Sequence, residues 1–256
     1  HPDYGGFDTS FLNTNIINSI FVNAKLEYTK FKMSYMVDKY ETSTIDLWGT
    51  HSGDAFDEKW DTYAFDGSYD FELGSLKITP YVKYKYQLPW NTKMIAEEYT
   101  NLKHATKLTS GIVASYDVNE QISATLGAEA YQHDLKLPDE VGEFEETFRN
   151  GKDVMRITSL SAFGEFGLKT SIVNVMAGAR FDAFNEFSNS FLPRLAITKV
   201  MNDLHFKGML SGSFRIPGGI IPNRTLLDKQ IKPETVWSYE VEAGYKFGEN
   251  SWISIN

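Results

Sequence analysis

The sequence predicts an all-β fold, the wall of an antiparallel transmembrane β-barrel with about twelve strands in the chain. Three observations carry this. Apolar and polar residues alternate with period two from one end of the chain to the other. The connections between these segments are alternately short and long. The apolar face they define is free of charge between the strand ends, although 23% of all residues are charged.

Composition sets the bounds. The chain has 256 residues, enough for one large domain or two small ones. Its 34 acidic and 25 basic side chains give a net charge of −9. No stretch is basic enough to follow a phosphate backbone, so nucleic acid is not an expected partner. There are no cysteines, which excludes disulfide frameworks and cysteine-based metal sites and fits a protein that crosses an oxidising periplasm. The chain opens at His1 without a basic and apolar leader, so a signal peptide is expected to have been removed or to lie upstream. No segment reaches the roughly 20 apolar residues of a membrane-spanning helix. That excludes only a helical membrane protein, because alternating strands cross a bilayer without raising mean hydropathy. The 14 Tyr, 18 Phe and 5 Trp against 8 Pro favour strands over helices.

The predicted strands are, in order, 19–28, 31–42, 60–73, 76–88, 105–117, 121–134, 155–168, 171–184, 190–200, 204–215, 236–247 and 251–256. In the sixth, Ile122, Ala124, Leu126, Ala128 and Ala130 alternate with Ser123, Thr125, Gly127 and Glu129. In the eighth, Val173, Val175, Ala177, Ala179 and Phe181 alternate with Asn174, Gly178 and Arg180. Tight turns are expected at Thr29-Lys30, Gly74-Ser75, Asn119-Glu120, Lys169-Thr170, Asn202-Asp203 and Glu249-Asn250. Between them lie longer loops at 43–59, 89–104, 135–154 and 216–235, and a shorter one at 185–189. Short turns on the periplasmic side and long loops outside are the arrangement of an outer-membrane barrel. Pro80 falls inside a strand pattern and cannot donate to a ladder, so a bulge or irregular pairing is expected there. Pro193 lies near a strand start, where it is tolerated.

Charge placement separates a membrane barrel from a soluble sandwich. Between the strand ends, the apolar face of the first eleven strands, such as Tyr63, Phe65, Gly67, Tyr69 and Phe71, or Phe206, Gly208, Leu210, Gly212 and Phe214, carries no charged residue. A lipid-facing surface forbids charge at up to ~2–4 kcal/mol per residue. The opposite face holds Lys25, Glu27, Lys32, Asp66, Asp70, Lys77, Lys83, Glu129, Glu165, Arg180, Arg194, Lys207, Glu240 and Glu242. In the eleventh strand Trp237 and Tyr239 stand at one end of the apolar face and Tyr245 and Phe247 at the other, with Val241 and Ala243 between. That is an interfacial aromatic girdle around a hydrocarbon band.

So many long charged side chains on the polar face imply a wide lumen, as in porins or plugged transporters. Several motifs then resemble one family. Ser-Phe-Arg-Ile-Pro at 213–217, Ile-Lys-Pro-Glu-Thr at 231–235 and Tyr-Glu-Val-Glu-Ala-Gly at 239–244 resemble the barrel of TonB-dependent outer-membrane receptors. Phe214, Arg215, Pro217, Pro233, Glu234, Tyr239, Glu240 and Gly244 carry the match; Ile231 stands in place of the usual Leu. Ala177-Gly178-Ala179-Arg180-Phe181-Asp182 and Leu192-Pro193-Arg194-Leu195 resemble two further strands of that family. The motifs cover about residues 155–256, and the first half is similar in architecture only. The resemblance implies a plugged barrel with more strands than this chain holds. Residues 1–256 are therefore expected to be a segment of a single barrel domain, with the N-terminal plug and the C-terminal strands outside the chain.

No catalytic constellation is legible. The histidines, His1, His51, His104, His133 and His205, have no metal-ligand spacing, so no metal and no cofactor is expected. His133-Asp134 is expected to be a polar pair at a loop base rather than part of a catalytic site. The acidic run Glu140, Glu143, Glu145 and Glu146 is expected to be solvated. Arg180, Arg194 and Arg215 are expected on the lumen wall with Glu240, paired with Glu165, Asp182, Glu234 or Glu240, or with whatever fills the barrel. Ligand capture is expected at the loop ends, where Trp48, His51, Trp90, Tyr99, Phe144, Phe148, Arg149 and Arg224 gather. For an anionic ferric chelate the first candidates are Tyr131, His133, Arg149 and Arg224, with Trp48 and His51 beside them.

The expected function is active, energy-coupled uptake of a scarce large solute, such as a ferric siderophore, across the bacterial outer membrane. Outer-membrane lipid, the plug, a TonB-type energising protein and the solute would be its partners. A passive porin-like channel and an outer-membrane barrel enzyme are the two alternatives.

Overall fold

In the computed structural model, the described residues are 17–47, 50–93, 100–101, 104–136, 154–216, 232–248 and 251–256. They form one antiparallel sheet of 14 strands and include no helix. The strands are β1 (Ile17–Tyr28), β2 (Phe31–Leu47), β3 (Thr50–Tyr69), β4 (Phe71–Leu73), β5 (Leu76–Lys93), β6 (Thr100–Asn101), β7 (His104–Asp117), β8 (Ile122–Lys136), β9 (Val154–Lys169), β10 (Asn174–Phe184), β11 (Ser190–Met201), β12 (Leu204–Arg215), β13 (Glu234–Phe247) and β14 (Ser251–Ile255). Each strand pairs with its neighbours in the chain, with β4 and β6 both attached to β5. The order ends at β1 and β14, which do not pair with each other, so the sheet is an open part of a barrel.

Every predicted strand is present, and the segment 60–73 appears as β3 and β4. The expected loop 43–59 is a correction. β2 and β3 run on to Leu47 and Thr50, so the hairpin is far taller than expected. Its upper part bears charge on the face that is apolar below: Lys39 stands opposite Asp61, and Lys59 bonds Glu41 at 2.6 Å. A ladder standing in water has no reason to alternate, so the period-two signal stops while the strands continue. The loop 89–104 shortens likewise, because β5 extends to Lys93 and pairs with β6.

The tight turns lie at one end of the sheet. Thr29, Gly74 and Asn202 take φ of 54°, 63° and 52°, the left-handed conformation that lets a two-residue turn follow strand twist; Gly248 takes 70°, and the expected turn Glu249-Asn250 after it lies outside the described residues. At the β7–β8 connection the Asn119 side-chain oxygen accepts from the backbone N–H groups of Gln121 and Ile122, each at 2.9 Å. At the β9–β10 connection β9 continues through Lys169, and Thr170 Oγ1 accepts from the N–H groups of Ile172 and Val173 at 3.2 and 3.0 Å. That turn delays β10 to Asn174.

Register shows that the apolar faces are one surface. Leu26 lies opposite Met33, Met33 opposite Gly67, Gly67 opposite Val82, Val82 opposite Ser110, Ser110 opposite Ala130, and Ala130 opposite Leu160. Further along, Leu195 lies opposite Leu210 and Leu210 opposite Tyr239. The surface is inverted relative to a soluble protein. Leu126, Leu160 and Val241 are 66%, 65% and 77% exposed, whereas Asp182 and Ser161 are 0% and 2% exposed. On β8 the uncharged outer face runs from Ile122 to Gln132, and charge resumes at Asp134, which accepts a two-pronged bond from Arg156 at 2.8 Å. Ten steps of ~3.3 Å on a strand tilted ~45° span about 23 Å, close to the ~25 Å apolar band of outer-membrane barrels.

Pro80 is an irregularity without a bulge. Its register with β7 is unbroken, opposite Ile112. On the other side the ladder lapses between Ser68–Tyr81 and Phe71–Ile78, and resumes in the same register. Asp70 bridges the lapse: it accepts from Thr79 at 2.8 Å and from Lys32 and Lys77 at 3.0 Å each. The bulges lie higher, at Thr44/Asp46 and Lys59/Asp61. Pro193 sits one residue before the β11–β12 ladder begins at Arg194–Ser211.

Depth on the apolar face predicts mutational cost. In the full-length protein, Leu126→Arg and Val241→Arg should each cost ~2–4 kcal/mol, while Val175→Arg, one residue from a strand end, should cost ~0–1 kcal/mol. Ser211→Arg, on the polar face, should be tolerated. Heat-modifiable migration and denaturant titration measure this, and equal costs at Leu126 and Ser211 would contradict the assigned faces.

Candidate functional site

The polar face is organised by side chains that reach over an intervening strand. Tyr81 on β5 donates its hydroxyl to Glu129 on β8 at 2.5 Å, crossing β7. The residue opposite Tyr81 on β7 is Gly111, where a Cβ would lie 2.5 Å from the phenol ring. Only glycine lets the ring pass. From the other side Arg180 on β10 reaches over β9 to the same carboxylate at 3.0 Å. Arg180 also donates to Asp182 at 2.8 and 3.0 Å and to Ser161 at 2.9 Å. Ser161 in turn donates to Asp182 at 2.5 Å. Phe163, opposite Arg180, lies 5.6 Å from its guanidinium and covers Gly127, where a Cβ would collide with the ring. One network thus ties β5, β8, β9 and β10 together.

Smaller pairs repeat this pattern. Arg194 on β11 pairs with Glu165 on β9, passing Gly178 of β10, which stands opposite both. Lys207 bonds Glu240 at 2.8 Å, and His205 lies 2.8 Å from Glu242. Arg215 and Glu234 end the β12–β13 ladder opposite each other, 3.7 Å apart and well exposed. Arg180, Arg194 and Arg215 each meet one of the acids named from sequence, and Glu240 meets a lysine. Sequence reasoning missed Tyr81 and Ser161, although strand parity already puts both on the polar face.

Above the network lies a small apolar cluster. Tyr131, Ile157 and Phe187 are buried at 8%, 2% and 3% exposure, and Met155, Phe184 and Ile216 pack against them. The Lys107 ammonium stands 4.0 Å above the Tyr131 ring. His133 lies opposite Lys107, two residues beyond Tyr131 on the same face. Tyr131 and His133 are therefore brought together. Asp134 points to the other face and is held by Arg156, so His133 and Asp134 do not form a pair. The backbone of His51 lies in β3 opposite Asp46, and that of Trp90 lies in β5. Their side chains, and Trp48, Tyr99, Phe144, Phe148, Arg149 and Arg224, fall outside the described residues, as do Glu140, Glu143, Glu145 and Glu146. Among the described residues no three His, Asp or Glu side chains are placed to hold a metal.

The Arg180 network predicts unequal costs. Arg180→Ala strands the fully buried Asp182 carboxylate and one oxygen of Glu129, and should cost ~3–5 kcal/mol. Arg194→Ala removes a pair whose arginine is 55% exposed and should cost ~0–1 kcal/mol. Denaturant unfolding of the full-length protein in detergent checks both, and equal losses would show that the network has no special weight.

The comparisons agree with this geometry. A sequence profile of the family described as TonB dependent receptor-like, beta-barrel matches residues 2–256. No curated protein matches the sequence. Among solved structures, the chain is similar to the siderophore receptor PirA of Acinetobacter baumannii, at 16% identity and a TM-score of 0.63, covering 90% of this chain and 41% of that one. The ferric enterobactin receptor PfeA of Pseudomonas aeruginosa gives 13% identity and a TM-score of 0.65, with 90% and 40% covered. The outer membrane transporter YddB of Escherichia coli gives 13% identity and a TM-score of 0.62, with 92% and 38% covered. At these identities the likeness shows the fold, and the chain spans about two fifths of each of those chains. With the profile covering nearly its whole length, this chain belongs to the TonB-dependent receptor-like β-barrel family.

Proposed function

We propose that this chain is part of the wall of an outer-membrane receptor that takes up a scarce large solute, such as a ferric siderophore, by energy coupling. The observation that carries this is the polar face. It is lined by long ionised side chains braced across strands, which suits a broad lumen around a plug rather than a small barrel filled by its own side chains. PirA and PfeA, to which the fold is similar, are described as receptors for a siderophore and for ferric enterobactin. A plug and a TonB-type partner would act through parts of the protein outside this chain, and the uncharged outer face would sit in outer-membrane lipid. An enzyme has no support, since His133 and Asp134 lie on opposite faces and Asp134 is engaged by Arg156.

The test is accumulation of radiolabelled iron, supplied as a ferric tris-catecholate, by cells making the full-length protein. Accumulation should exceed that of cells lacking the protein and should fall to their level when a protonophore collapses the membrane potential. Accumulation that survives the protonophore, together with steady ion conductance of the purified protein in planar bilayers, would instead establish a passive channel.

A further inference from the structure

We propose that Lys85 and Lys107, flanked by Lys83 and His133, form an anion-binding row on the polar face near its long-loop end, fitted to a soluble ligand bearing several anionic oxygens. This deepens the uptake reading above and rests on it for the ligand's role as cargo.

Register carries the argument. Lys85 on β5 stands directly opposite Lys107 on β7, and Lys107 directly opposite His133 on β8. Three basic side chains thus project from one face of three adjacent strands, spaced ~4.8 Å apart. Lys83 lies two residues from Lys85 on the same face. Like charges directly opposite one another in a ladder repel, and strands normally avoid them.

Most cations elsewhere on the polar face meet an acid, Lys25 and Lys246 excepted among the described residues. Lys32 and Lys77 share Asp70, Arg180 has Asp182 and Glu129, Arg194 has Glu165, and Lys207 has Glu240. Lys85 makes no ion pair or hydrogen bond among the described residues, and Lys107 rests on the Tyr131 ring rather than on a carboxylate. The acids within reach are already engaged. Glu129 accepts from Tyr81 and from Arg180, one bond to each oxygen, and attracts Lys107 without forming an ion pair with it. Asp66 accepts from Ser34 and lies 4.0 Å from Lys83, so neither Lys85 nor Lys107 has a carboxylate in ion-pair contact among the described residues. The direct neighbours of the row on β3 and β9, Ala64 and Ile157, are neutral.

Position fits capture. The residues next in sequence to His133 and Ile157, Asp134 and Arg156, are the first charges on the outer face, so the row stands level with the upper edge of the lipid band. Lys83 and Lys85 are exposed, and Lys107 and His133 are half-buried. A polyanion arriving from the long-loop side would relieve the repulsion and gain charge-assisted hydrogen bonds, with the Tyr131 cluster as a rigid floor.

The test uses the full-length protein purified in detergent, with sodium tripolyphosphate as probe and thermal unfolding as readout. A ligand that binds only the folded state raises Tm. Tripolyphosphate should raise the Tm of the wild type at low salt and lose this effect at high salt. K85Q/K107Q should have a higher Tm than wild type without the probe, because the repulsion is gone, and should no longer respond to it. K85R/K107R should keep the response. Affinity for a ferric tris-catecholate should fall about tenfold or more in the glutamine variant, while a neutral ferric trihydroxamate should show no such change. Two results would overturn the proposal. One is an unchanged probe response in K85Q/K107Q. The other is a lower Tm of that variant without probe, which would mean that acids of another part of the protein already fill the row. Because unfolding needs no transport, failure here is distinguishable from failure of energised uptake.

Discussion

Everything in this sheet depends on hydrocarbon lying against one of its faces. A backbone N–H or C=O without a partner there costs several kcal/mol, and a charged side chain ~2–4 kcal/mol at the midplane. The ladder must therefore be nearly continuous, and its register cannot drift. A slip of one residue in β8 would carry Glu129 and His133 to the lipid face and bring Leu126 and Ala128 into the lumen. Exclusion of charge from lipid thus fixes the register more firmly than any contact between side chains. The polar network is a consequence, since it exists only where register aligns Tyr81, Gly111, Glu129, Phe163 and Arg180.

That alignment explains why small residues recur on the lumen side. A side chain can span two strand spacings only if the residue between leaves the way open. Gly111 does so for Tyr81, and Gly178 does so for Arg194. The resulting bonds join second neighbours, which the backbone ladder cannot do. Their contribution is to hold curvature and side-chain placement rather than to add net stability, because the burial of Asp182 offsets much of the gain from its bonds.

What was legible in the sequence follows from the same physics. Alternation is imposed by the two solvents, so strands, faces and girdle could be read directly. Tight turns even give register: a turn at Asn202-Asp203 dictates that Leu195 meets Leu210. Registers across long connections could not be read, because 137–153 can join β8 to β9 in any alignment. The bond between Arg180 and Glu129, which crosses that connection, was therefore invisible, as was the row Lys85, Lys107, His133, which crosses the one after β5. The upper β2–β3 hairpin was missed because both its faces meet water. The expected sites at Trp48, Arg149 and Arg224 stay proposals that the described residues do not reach.

Two places break the local rules, and they differ in kind. At Pro80 the ladder lapses, but Asp70 fills the gap with three bonds, so the defect is compensated within the wall. At Lys85 and Lys107 the rule against opposed like charges is broken, and none of the described acids forms an ion pair with either lysine. A sequence that answers Lys32, Lys77, Arg180, Arg194 and Lys207 with nearby acids could have answered these two as well. Sequences depart from internal consistency where function requires it, and the compensation then comes from outside the fold. The row without ion pairs lies at the long-loop end of the wall, and the compensated lapse lies near the tight turns. That contrast, rather than the presence of lysines as such, separates a recognition surface from a structural repair.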